Sequence, residues 1–166
     1  MNQLSQHTRG CRRKSTGFTL VELLVTLVLL TLLVTSASPV VQLNAKREKE
    51  RELKRALWQI RDAIDDYKSA VDQGLVKKSA DDSGYPPNLQ ILVIGVANSQ
   101  DPAKKKIRFL RRMPRDPFAS DPTLSNAQTW RIHGYDGAVD DMAKDVFDVS
   151  SRATGTGINQ QPYSEW

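Results

Sequence analysis

One carboxylate stands alone in an apolar run. From Phe18 to Val41 the chain is Leu, Val, Thr and small residues, and Glu22 is the single charge among them. A carboxylate in hydrocarbon is costly unless a cation compensates it, so Glu22 must either reach the headgroups or meet a positive partner. Few other groups could do chemistry. Cys11 is the only cysteine, which excludes an intramolecular disulfide and thiol pairs. Beyond residue 17 His133 is the only histidine, so neither a His/Cys metal set nor a Ser/His/Asp grouping is argued by spacing. No P-loop and no Gly-x-Gly-x-x-Gly occurs. Asp136, Asp140, Asp141 and Asp145 gather carboxylates without the Asp-x-Asp-x-Asp-Gly spacing of a calcium loop, and are read as a solvated loop. Lys104, Lys105, Lys106, Arg108, Arg111, Arg112 and Arg115 form a basic run with Phe109 interleaved. It is read as a solvated loop over an apolar strand, with an acidic neighbour or DNA as the functional reading. An enzyme is not expected.

The elements that must position Glu22 come next. The net charge of +5 is uneven: residues 1–17 hold Arg9, Arg12, Arg13 and Lys14 and no acid, and the remainder is close to neutral. The basic balance therefore belongs to a leader and is weak ground for nucleic-acid binding. The run from 18 to 41 would measure roughly 36 Å as a helix, enough to cross a hydrocarbon core of ~30 Å. Basic residues ahead of it place the leader in the cytoplasm and the residues beyond the run outside it. An ordinary signal peptide is the competing reading, with Thr35-Ser36-Ala37 as a small-residue cleavage stretch. The long apolar stretch before those residues and the acid inside it argue against that reading.

Past Pro39 the helix is expected to continue to about Asp72, with Gly74 as its stop. Leu53, Leu57, Ile60, Ile64, Tyr67 and Val71 step by alternating fours and threes, an apolar stripe on an amphipathic helix. The charged run over 46–55 is read as solvated, with Glu50–Lys54 and Glu52–Arg55 pairs along it. The later residues are punctuated by proline and glycine. Short alternations at 130–132 and 146–149 suggest an antiparallel pair, Ile107–Leu110 a third strand, and 88–96 either a buried strand or a short helix. The fold class is α+β: a long amino-terminal helix packed on a small antiparallel sheet with a loop-rich carboxy-terminal region.

A basic leader, then Gly17-Phe18-Thr19-Leu20-x-Glu22-Leu23 at the head of an apolar run, resembles the amino terminus of type IV pilins and pseudopilins. "GYPPNLQIL" at 84–92, "FLRRMPRDPF" at 109–118 and the closing "DVFDVSS…GTGINQQPYSEW" resemble, within that family, the major (G-type) pseudopilin of type II secretion systems. The resemblance implies four segments: a leader 1–17 removed by prepilin peptidase, a transmembrane and assembly helix 18–41, an amphipathic helix 42–74, and a small-sheet periplasmic domain 75–166. It implies cleavage between Gly17 and Phe18, methylation of the new amine of Phe18, subunit assembly through Glu22, a helix kink at Pro39, and Met113-Pro114-x-Asp116-Pro117 as a rigid corner. Implied partners are further copies of the chain, minor pseudopilins, the prepilin peptidase, the inner-membrane assembly platform and, before assembly, membrane lipid; nucleic acid is not among them. The implied location is the bacterial inner membrane, single-pass, with a cytoplasmic amino terminus and a periplasmic carboxy-terminal domain. The absence of a cysteine pair favours a secretion pseudopilin over a type IV pilin or a minor pilin of a motility or DNA-uptake pilus. From a different class, a periplasmic binding domain exported by an ordinary signal peptide remains the competitor. The resemblance also implies a calcium loop after the last strand. Here that place reads Arg152-Ala153-Thr154, and Asp is absent from 150 to 166. Calcium takes six to eight hard oxygens, carboxylates among them, so these residues argue against it and no cofactor is expected.

Overall fold

A computed structural model describes residues 17–166, leaving out the side chains of 35–40. The chain divides into two compact units, Met1–Gln42 and Leu43–Trp166. Helix α1, Leu20–Asp72, contributes residues to both.

In the second unit the expected stripe is the core. Leu53, Leu57, Ile60, Ile64, Tyr67 and Val71 are all buried, with Ala56, Ala63 and Ala70 between them. Leu89, Leu92, Trp130, Val146, Val149 and Tyr163 complete the same cluster. Each fully buried Leu or Ile contributes about 1.5–3 kcal/mol of transfer free energy. The helix stops where Gly74 allows it. Gly74 has φ of +73°, its N–H bonds to the Val71 carbonyl at 2.9 Å, and the Leu75 N–H bonds to the Ala70 carbonyl at 2.9 Å. That pair of bonds is a Schellman motif, and the left-handed residue it needs is least costly as glycine.

The segment 88–96 resolves as a short helix α2, Gln90–Ile94, followed by strand β1, Val96–Ala97. Strand β2, Lys106–Ile107, pairs with β1 antiparallel, Val96 opposite Ile107. Phe109 and Leu110 lie beyond the strand, and both their N–H groups bond to the Leu92 carbonyl, at 3.0 and 2.9 Å. Strands β3, Trp130–His133, and β4, Asp148–Ser151, form the other antiparallel pair, Trp130 opposite Ser151 and His133 opposite Asp148. Two two-stranded sheets thus replace the single small sheet expected, and the second strand of the later pair starts two residues after Val146. The reason is local: Val146 and Phe147 give their N–H groups to Pro86 and His133 carbonyls, each at 2.8 Å, before the ladder begins. The α+β class holds.

Candidate functional site

The amino-terminal site begins at an unhindered glycine. A Cβ placed on Gly17 would meet nothing within 4 Å, and Phe18 is 80% exposed. Thr19 precedes α1, and its Oγ1 accepts the Glu22 N–H at 3.2 Å. Thr-x-x-Glu at a helix start is capping-box spacing, a second signal in the sequence besides the lone charge. Glu22 is exposed in the first turn, where a carboxylate also complements the helix dipole. From Leu20 to Val34 every side chain is exposed, among them Leu23, Leu27, Leu30 and Leu33. The two hydroxyls in this stretch bond back to their own helix, Thr26 to the Leu23 carbonyl at 2.9 Å and Thr31 to that of Val28 at 2.7 Å. Such back-bonding satisfies a hydroxyl without water. Among the described residues no helix is long and apolar enough to cross a membrane. Leu20–Val34 alone would rise roughly 22 Å, and the next side chains in the apolar run, 35–40, lie outside the described ones. Pro39 falls there: the backbone is helical at that position, and its expected kink lies outside what is described. Leader residues 1–16 lie outside the described residues as well.

The Pro-Arg-Asp-Pro corner in the second unit is built around Asp116, which is 1% exposed. Its carboxylate accepts the Phe118 N–H at 2.8 Å and the Ser151 hydroxyl at 2.6 Å, while its own N–H bonds to Thr129 Oγ1 at 3.2 Å. The Trp130 indole N–H donates to the Pro114 carbonyl at 2.9 Å. The corner is therefore tied to both β3 and β4. Arg115, a member of the basic run, closes the next loop instead, donating to the carbonyls of Leu124 (2.8 Å) and Asp121. Asp121 itself accepts from the Thr123 hydroxyl and N–H, which hold its carboxyl below the usual range.

The acidic patch is not merely solvated. Asp136 accepts the Ala138 N–H at 3.0 Å, Asp140 the Ile132 N–H at 3.1 Å, and Asp145 the Tyr135 N–H at 2.8 Å together with the Ser83 hydroxyl. Arg152 donates to Asp140 at 2.6 Å. His133 Nε2 lies 2.8 Å from Ser150 Oγ across the strand pair.

The carboxy-terminal loop is clasped by α1. Glu50, expected to be solvated and paired with Lys54, is buried instead. Its Oε1 accepts the Ile158 N–H at 2.9 Å and the Tyr163 hydroxyl at 3.0 Å. The exposed ion pairs of the charged run are Glu48–Arg51 at 3.2 Å and Glu48–Arg55 at 3.3 Å. Burial, then the hydrogen bond to Glu50 and its charge, push the Tyr163 hydroxyl up to about 12. The Lys46 ammonium donates to the Thr156 carbonyl at 2.8 Å. Arg61 forks onto Asp148 at 2.7 and 3.3 Å and also reaches the carbonyls of Val149 (3.1 Å) and Trp166 (2.7 Å). A Cβ on Gly157 would sit 2.4 Å from the Trp166 ring, so only glycine fits. These contacts do not fit a bound calcium. The Thr156 carbonyl faces an ammonium, the carboxylate that reaches the loop already holds two donors, and the loop adds no Asp. Among the described residues no three His, Cys, Asp or Glu side chains converge to hold a metal.

Comparison with known proteins adds two findings. The family model for the prokaryotic N-terminal methylation motif matches residues 12–38, a stretch containing Gly17, Phe18 and Glu22. The chain is 29% identical over 112 residues to "Type II secretion system core protein G" of Vibrio cholerae serotype O1, covering 66% of this chain and 69% of that protein. No solved structure gives a significant match. Together the motif and the similarity support a pilin-like chain of the G-type pseudopilin kind, as the residues at 17–23 and 109–118 implied.

Proposed function

We propose that this chain is a structural subunit, not an enzyme: a pseudopilin that polymerises through its amino-terminal helix into a periplasmic pseudopilus driving type II protein secretion. The observation that carries the reading is the methylation motif over 12–38, set on a helix whose apolar side chains are all uncovered from Leu20 to Val34. Exposed apolar surface of that extent requires a cover, and lipid before assembly and neighbouring helices after it are the covers that fit. Prepilin peptidase removes the leader after Gly17 and the Phe18 amine is methylated. The inner membrane holds the helix with residues beyond it in the periplasm, where the assembly platform and minor pseudopilins meet it. Glu22 then pairs with the cationic amine of a neighbouring subunit.

Its place in the first helical turn, facing the positive end of the helix dipole, gives the Glu22 carboxylate a local role too, worth about 0.3–1 kcal/mol. Removing one member of a buried ion pair costs more, about 3–5 kcal/mol where burial is complete and less near headgroups. Glu22→Ala therefore separates the two. Cleavage should survive, since Gly17 is untouched, while assembly should fail, because the loss recurs at every added subunit. Crosslinking of membrane fractions and a secretion assay read the outcome, with normal assembly refuting the pairing role. Terminal sequencing of the membrane-extracted parent should begin at Phe18. A start at residue 36 or later would establish an ordinary signal peptide instead.

A further inference from the structure

The outer face of α1 in the second unit is sorted by charge. Arg47, Arg51, Lys54 and Arg55 stand on it ahead of Trp58, and Asp62, Asp65 and Asp66 stand on it after Trp58. All are exposed, and their spacing of threes and fours sets them opposite the buried stripe. The acids have no local partner. Asp62, Asp65 and Asp66 make no hydrogen bond or ion pair among the described residues. The cations nearest them in the chain are engaged: Arg61 is held by Asp148 and the Trp166 carbonyl, and Lys68 by Asp72 at 2.5 Å. At the other end cations are in excess. Arg51 and Arg55 share one carboxylate, Glu48, at 3.2 and 3.3 Å, and Arg47 has no partner among the described residues. The Lys54 ammonium lies 4.6 Å from the centre of the Trp166 ring, without a carboxylate. Glu52 lines a cleft on the flank of the helix with Arg112. Between the two halves Trp58 is 68% exposed. Trp and Arg are the residue types enriched at the energetic centre of protein interfaces.

One displacement brings the halves together. Eleven residues make close to three helical turns, so a shift of eleven keeps the same face outward and moves roughly 16 Å along the axis. It carries Arg51 onto Asp62, Lys54 onto Asp65, Arg55 onto Asp66 and Arg47 onto Trp58. Three opposite-charge pairs and a guanidinium on an indole thus fall on one register. Shorter shifts that keep the face set like charges together. A shift of four opposes Arg51 to Arg55 and Asp62 to Asp66, and one of seven opposes Arg47 to Lys54 and Asp65 to Asp72. The basic half of one copy and the acidic half of another therefore supply both sides of the contact.

We infer that this face is an interface between copies of the chain: two parallel α1 helices displaced by eleven residues, with Trp58 at the centre. The inference rests on the reading of the chain as an assembling subunit, because copies inserted in one membrane lie parallel.

The test is zero-length carbodiimide crosslinking of the full-length protein in membrane fractions, read as dimer and higher bands and by mass spectrometry of the joined peptides. Carbodiimide joins a carboxylate to an amine in contact with it, and Lys54 is the amine of the basic half. The expected product is Lys54–Asp65, a pair that three helical turns keep apart within one copy. Its yield should fall as salt is added. Arg51→Asp should lower it about 2–5-fold, the effect of one exposed pair turned repulsive, and Asp62→Arg likewise. The two changes together should restore it. Both side chains are exposed, so the melting temperature should stay that of the parent. Glu22→Ala reports the amino-terminal reading separately, by assembly and secretion. If Glu22→Ala fails to assemble but the parent gives no Lys54–Asp65 product, or the double variant is no better than the single ones, the interface is overturned and that reading stands. If the product forms equally in Glu22→Ala, the interface stands and the amino-terminal reading falls. Lys54 joined only to carboxylates of its own copy also overturns the interface.

Discussion

Replacing Tyr163 by Phe isolates one contact of the clasp. The ring would keep its stack on Phe118, at 4.3 Å and 25°, and its edge contact with Trp166 at 5.2 Å. What is lost is the hydroxyl donated to Glu50 Oε1, leaving that oxygen the Ile158 N–H. A hydrogen bond to a charged group contributes about 1.5–3 kcal/mol, and here both partners are buried. A loss of about 2 kcal/mol is expected, or about 6–10 °C in Tm for a unit of this size. The assay is thermal and urea unfolding of residues 43–166, which contain the whole buried core. A double-mutant cycle with Glu50→Gln should return a coupling above ~0.5 kcal/mol. The pH profile gives a second reading. Unfolded tyrosine loses its proton near pH ~10, whereas folded Tyr163 keeps it to about 12. Between those values the folded state binds the proton that the unfolded state has lost, so stability falls as pH rises. Tyr163→Phe should flatten that fall. A Tm change under about 2 °C with the parent's alkaline profile would refute the role assigned to the Glu50–Tyr163 contact.

Two further outcomes are expected. Calcium at millimolar concentration should leave the Tm of residues 43–166 unchanged relative to chelator, where a site at 100 Kd would add about 2.7 kcal/mol; a chelator-reversible rise would show a donor set that the clasp geometry hides. Asp116→Ala leaves the Phe118 N–H and the Ser151 hydroxyl without their acceptor, so about 3–5 kcal/mol should be lost, and Asp116→Asn should lose less because it keeps one acceptor oxygen; equilibrium urea unfolding of the three proteins gives the order.

The parts of the fold that could be read from sequence are those set by short-range periodicity. The alternation of fours and threes from Leu53 to Val71 is a face, and the face is buried. Gly74 stops the helix because its conformation suits no other residue as cheaply. The amino-terminal signal was legible for a different reason: a charge in an apolar run is conspicuous anywhere. Glu50 was not legible. It stands among charges, where local pairing is the natural expectation, and its partners lie more than a hundred positions away at Ile158 and Tyr163. The bonds that Asp140 and Asp145 make to backbone amides were hidden in the same way, since a carboxylate that caps an amide looks in sequence like one that faces water. The segment 88–96 was undecided because a short apolar run has the same pattern in both states, and the backbone bonds offered at Leu92 to Phe109 and Leu110 are invisible in the composition.

The back-bonded hydroxyls of Thr26 and Thr31 bear on friction. Between Leu20 and Val34 the only side chains with polar atoms are Glu22 and these two threonines, and the threonine hydroxyls already bond to their own backbone. Two such helices lying side by side would meet through dispersion contacts that re-form at each small displacement, with no ladder of hydrogen bonds to rupture. A column of them would be slippery along most of its length and have one toothed point per subunit, at the carboxylate. If Glu22 pairs as proposed, lengthening by one subunit would then be a step from tooth to tooth, the apolar surface supplying cohesion through dispersion and the carboxylate supplying register.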